Sequence, residues 1–165
     1  MAVIAAAAIF AAVGLASGYR GAQSASSPLT WSKAAARASF HVYRPHETLG
    51  LKLSGLFISH GCLLAGWGTR KGPHFGLYEP GNSVQCGQPG EATAVARTVI
   101  NGVHVHVLVQ CPTVPKCTVR DGEGKGELLV FVPERGPGHY SIQLQSMHVA
   151  LGRFLKVARS FQRVR

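Results

Sequence analysis

The chain has 165 residues, 46% of them hydrophobic, and carries 17 Lys and Arg against 7 Asp and Glu, a formal charge of +10 at neutral pH. That length fits one domain of ordinary size behind a short leader, with enough chain to bury a core, and no internal repeat points to an array. A surface this basic favours anionic neighbours: phospholipid headgroups, wall polymers or nucleic acid.

Residues 1–18 (MAVIAAAAIFAAVGLASG) hold no charged side chain. Their core, Ala2–Ala16, has the length of a signal-peptide apolar region and falls short of the roughly 20 residues that span a bilayer. We expect an apolar signal or anchor helix over 1–18, which places any membrane association in residues 2–18 and leaves nucleic acid outside the partner set. As a buried core helix this Ala-rich stretch, followed by a polar linker, is poor material. No basic residue precedes Ala2. Small residues at Ala16 and Gly18, and again at Ala22 and Ser24, offer two cleavage sites, while Tyr19 stands where a lipoprotein box needs Cys. Residues 19–31 read as a flexible spacer, and 32–165 as a single domain outside the cytoplasm, anchored or secreted.

A short helix is expected near Ser32–Ser39, then strands over Leu51–Ile58 and Phe75–Glu79. Thr93–Ile100 and Val103–Val109 are β-branched runs separated by Asn101-Gly102, the dipeptide of a two-residue type I′ hairpin. In that register Val103, Val105, Val107 and Val109 share an apolar face with Ala94, Ala96 and Thr98, and the other face carries His104, His106 and Arg97. Leu128–Val132 and His139–Leu144 are further strands, joined by the turn-rich Pro133–Gly138. From Met147 onward Leu151, Phe154, Leu155, Ala158 and Phe161 recur at helical spacing, with Arg153, Lys156, Arg159 and Arg163 off the stripe as the candidate anion-binding surface. The order predicts an α+β fold: a single antiparallel sheet covered by a C-terminal amphipathic helix.

Four cysteines, Cys62, Cys86, Cys111 and Cys117, are an even set in a chain with an export signal and predict two disulfides among three connectivities. The short Cys111–Cys117 loop, stiffened by two prolines, is the natural local bridge, which leaves Cys62 with Cys86. Four buried thiols are the alternative.

AAARASFHVYRP (Ala34–Pro45) and FLKVARSF (Phe154–Phe161) together resemble the opening and closing segments of a bacterial extracytoplasmic domain of unknown function, found in membrane-anchored sigma-factor regulators and small envelope proteins. The resemblance spans both ends of the domain and consists mostly of packing residues; the cysteines are not part of it. It implies an interaction or sensor module without catalytic residues.

Ser59-His60-Gly61-Cys62 is similar to the S-H-G-C signature of L,D-transpeptidases, in which a Cys nucleophile cross-links peptidoglycan; His41 or His46 would then lower the Cys62 pKa. Leu64 stands where that family has Arg or Asn, and Cys62 lies early in the domain among Leu56, Phe57, Ile58 and Leu63, which favours a buried structural cysteine. His104 and His106 point the same way on a strand and form a candidate metal pair, but Arg97 opposite His106 disfavours a cation there. Gly122–Gly126 and Gly136–Gly138 read as turns, and no G-x-S-x-G or H-E-x-x-H motif occurs. The expected function is a non-enzymatic binding or sensor domain of the cell envelope, without cofactor or metal, whose partner is an envelope protein or an anionic membrane or wall component. A Cys62 transpeptidase and a periplasmic metal-binding protein are the rival readings.

Overall fold

The computed structural model describes residues 29–80, 86, 90–111, 116–133 and 141–165. The apolar segment 1–18, most of the spacer and the Pro133–Gly138 turn beyond Pro133 lie outside them. Helix α1 (Trp31–Arg37) starts inside the expected spacer, because the Thr30 side chain accepts the Lys33 N–H at 3.3 Å and caps the Ala-rich turn. There follow β1 (Tyr43–Pro45), β2 (Leu53–Ser59), β3 (Cys62–Gly68), β4 (His74–Glu79), β5 (Thr93–Ile100) and β6 (Val103–Gln110). After these come α2 (Val119–Gly124), β7 (Glu127–Pro133), β8 (Ser141–Met147), α3 (Leu151–Arg159) and β9 (Phe161–Arg163).

The fold is α+β and mostly sheet. Seven antiparallel strands run in the order β2-β3-β4-β8-β7-β6-β5. The expected single sheet is corrected by a second one, the pair β1 and β9, in which Tyr43 faces Arg163 and Pro45 faces Phe161. Strands of three residues carry too little alternation to be read from sequence. Phe161 and Arg163 therefore belong to a strand, not to the helix, and Met147 ends β8.

Both hairpin turns on the β2–β3 and β5–β6 corners follow one rule. Asn101-Gly102 has φ of 53° and 81°, and His60-Gly61 has 51° and 77°, the positive pair that a type I′ turn demands. Ile100 faces Val103 and Arg97 faces His106 as the Asn-Gly turn requires; a bulge between Ala94 and Ala96 then moves Ala94 opposite Leu108 instead of Val109. The Gly122–Gly126 run is not a turn. Gly122 and Gly124 lie in α2, started by a capping box in which Asp121 N–H donates to Thr118 Oγ1 and Thr118 N–H to Asp121 Oδ2; the Thr118 hydroxyl, donating to Asp121 Oδ2 at 2.7 Å, and then that Thr118 N–H hold the Asp121 carboxyl below the usual range. Gly122 lets α2 approach the sheet: a Cβ there would meet Leu128 and Val109 side chains at 2.8 Å.

One sheet face, the inner, is the apolar core. Leu63, Ala65, Trp67, Phe75, Leu77, Val107, Val109, Leu128, Val130, Val132, Ile142 and Leu144 alternate onto it and are buried. Trp31 of α1 stacks on Trp67 at 5.9 Å, and Trp67 on its cross-strand partner Phe75 at 4.7 Å. Helix α3 contacts β7 through buried Phe154, Val157 and Ala158. Its first N–H, on Leu151, donates to Glu123 Oε1 of α2 at 2.7 Å, a carboxylate at a helix N-terminus where the dipole favours it.

Phe154 is fully buried, so Phe154→Ala should cost about 3–5 kcal/mol. Exposed Lys156→Ala should leave stability within about 0.5 kcal/mol. Urea denaturation of both variants checks the assignment of the buried stripe.

Candidate functional site

The outer face of the seven-stranded sheet is built differently. Three glycines, Gly55 of β2, Gly66 of β3 and Gly76 of β4, sit directly opposite one another across adjacent strands, so one row of this face has no side chains. Beside it runs a second row, Phe57, Leu64 and Tyr78, in the same register. A cavity of about 590 Å³ opens over this strip. Phe57, Leu64, Tyr78 and the Cys62–Cys86 disulfide flank it on one side, and Ser54, Thr69, Arg70 and His74 on the other.

Gly66 and Gly76 have no positive φ, and a Cβ would meet only Ser54 Oγ at 3.2 Å or the Ala65 carbonyl at 3.4 Å. Neither backbone geometry nor packing demands glycine there, although glycine inside a strand costs stability. The Phe57 ring lies over Gly55 and is 54% exposed, an aromatic wall at the sheet edge.

Continuing the rows inward, Gly76 faces Gln145 and Tyr78 faces Gln143 on β8. Both glutamines are buried, and their Oε1 atoms have no hydrogen-bond partner among the described residues. Burial pushes the Tyr78 phenol up, with the Glu127 charge adding to it, and burial likewise raises the Glu127 carboxyl. His74 Nδ1 pairs with the Gly72 carbonyl at 2.9 Å.

Of the residues singled out from the sequence, Cys62 is at the rim of this cavity, bonded to Cys86 with Cα atoms 5.3 Å apart. Cys111 and Cys117 form the second pair at 6.2 Å, so both bridges follow the local-loop reading and suit an oxidising compartment. His60 lines the cavity too, with Nδ1 2.8 Å from Ser59 Oγ. The S-H-G-C run is thus a hairpin corner. His104 and His106 are exposed on β6, one strand in from the far edge of the sheet, and among the described residues no group of three His, Cys, Asp or Glu could hold a metal ion.

The four candidate anion-binding cations are split. Arg153 donates to the Leu49 carbonyl at 3.3 Å, Lys156 is exposed, and Arg159 donates to Thr98 Oγ1 at 2.7 Å, tying α3 to β5. Arg163 is exposed on β9. None of the four lines the cavity over the glycine row. The groove is not legible in the sequence because its glycines are dispersed along the chain: one glycine in each of three strands becomes opposite the others only once register is known.

No protein-family model, curated protein or solved structure matches the chain. Among the described residues no helix is long and apolar enough to cross a membrane.

A carboxyl raised by folding is easier to protonate in the native state than in the unfolded chain. Its contribution to stability is therefore present at low pH and lost as pH rises from the ordinary Glu value through the raised one. Glu127→Gln should accordingly be more stable than wild type at pH 7.5, with the gain shrinking at pH 4, as read from urea midpoints at the two pH values.

Proposed function

We propose that this chain is an exported, non-enzymatic binding domain of the cell envelope, and that its binding site is the glycine-floored groove over β2, β3 and β4. The observation that carries this reading is the cavity of about 590 Å³, within the roughly 300–1,000 Å³ of small-molecule sites. It is kept open at Gly66 and Gly76, where neither the backbone nor the packing requires glycine. Two disulfides support a compartment outside the cytoplasm, as does the apolar segment 1–18. The resemblance of both chain ends to an extracytoplasmic sensor-type domain points the same way.

The cysteine-enzyme reading has less support. A sulfur held in a disulfide is no thiolate nucleophile, and His60 and Gly61 occupy their places because a type I′ corner needs them.

Nile red, an uncharged apolar dye, should gain fluorescence saturably with the full chain. Gly66→Leu, which fills the trough, should abolish the gain while keeping or raising the melting temperature, and Gly76→Val should do the same. Dye binding unchanged in both folded variants would overturn the site.

Export is checked separately. Residues 1–27 fused to a reporter active only outside the cytoplasm should give activity, and a silent reporter would overturn that half of the reading.

A further inference from the structure

The groove is chemically lopsided. Between Glu47 and Glu79 the sequence contains no Asp or Glu, while Lys52, Arg70 and Lys71 all fall in that stretch. They gather at one end of the sheet, where β2 begins and the β3–β4 turn runs; there the Gly68 N–H donates to the Lys52 carbonyl at 2.9 Å. Arg70 lines the cavity, is exposed, and makes no ion pair among the described residues. Thr69 and His74 lie beside it on the same flank. The opposite flank, with Phe57, Leu64, Tyr78 and the Cys62–Cys86 bridge, offers aromatic, aliphatic and sulfur surface and no cation except His60 in its charged form.

A ligand that matches both flanks has an apolar body and an oxyanion at one end. The glycine row crosses three strands about 4.8 Å apart and is therefore roughly 10 Å long, on the order of a medium-length alkyl chain. A neutral apolar molecule would leave the Arg70 guanidinium unanswered. A bare anion would leave the glycine strip and the Phe57 ring facing water. The planar fork of Arg70 suits either carboxylate or phosphate.

We infer that the groove binds a single-chain anionic amphiphile, its alkyl chain laid on the Gly66 and Gly76 floor against the Phe57 ring, Leu64 and Tyr78, and its oxyanion held at Arg70. This rests on the groove being the binding site. The same head chemistry occurs in a fatty-acid carboxylate and in a single-chain lipid phosphate.

The test uses the full chain with decanoate, decyl phosphate and decanol, each below its aggregation threshold, by Nile red displacement and, independently of the dye, by calorimetric titration. Both or one of the anions should bind at one equivalent about tenfold more tightly than decanol, the preference that one charge-assisted pair supplies. The tighter anion identifies carboxylate or phosphate as the source. Arg70→Glu should erase the preference and leave decanol binding unchanged. Arg97→Glu, the same charge change on β5 at the other sheet edge, should preserve it. Gly66→Leu should lose all three ligands.

Equal binding of decanol and both anions would overturn the amphiphile while leaving a dye-binding groove intact. Equal loss in Arg70→Glu and Arg97→Glu would reduce the effect to net charge and overturn it as well. Calorimetric binding of the anions that survives Gly66→Leu would place them elsewhere and overturn both readings.

Discussion

The carboxylate of Glu79 is the point through which the two sheets hold together. It is 2% exposed at the end of β4, on the inner face, where an unanswered charge would cost several kcal/mol. The Tyr43 backbone N–H donates to it, 3.1 Å from Oε1 and 3.2 Å from Oε2, and so docks β1 against the large sheet. Strand β1 in turn pairs with β9, Val164 N–H donates to the Val42 carbonyl at 2.8 Å, and His46 N–H to that of Ser160 at 3.1 Å. The last helix is thereby held from its C-terminal side as well as by its buried stripe. One acid on a central strand needs a partner, and satisfying it closes the ends of the domain over the core.

That closure gives the sheet two unlike faces. The inner face is apolar and covered by α1, α2, α3 and the small sheet, so its side chains serve stability alone. The outer face buries Leu129 opposite Gln145, with Gln143 and Tyr78 paired in the adjacent row, and gives way at β2 to β4 to a row of glycines. Strand glycine and buried amide oxygens both work against stability. Their concentration on one face beside one cavity is a pattern that core packing does not explain.

Charge follows the same division of labour. Part of the basic excess is structural: Arg159 ties α3 to β5 and Arg153 reaches the Leu49 carbonyl, so those two cations have work inside the fold. Arg70 makes no such bond among the described residues and lines the cavity.

What the sequence determined by itself is local. Asn101-Gly102 specified a hairpin and its register down to Arg97 opposite His106, because a two-residue type I′ turn permits only that pairing. Spacing of three and four placed Phe154 and Ala158 on a buried face, and the six-residue separation of Cys111 and Cys117 favoured the bridge that the structure forms. His60-Gly61 obeys the same turn rule as Asn101-Gly102, but His is not a residue that marks a type I′ turn in sequence, so neither the turn nor β3 beyond it is legible there. Only the tertiary structure decided that β8 lies between β4 and β7, that Phe161–Arg163 returns to pair with Tyr43–Pro45, and that Glu79 meets Tyr43. It alone brought Gly55, Gly66 and Gly76 into one row. The physical reason is the range of the forces: turn and helix preferences act over a few residues, whereas strand order is chosen by burying a whole face at once, and a groove exists only where that choice aligns what the chain keeps apart.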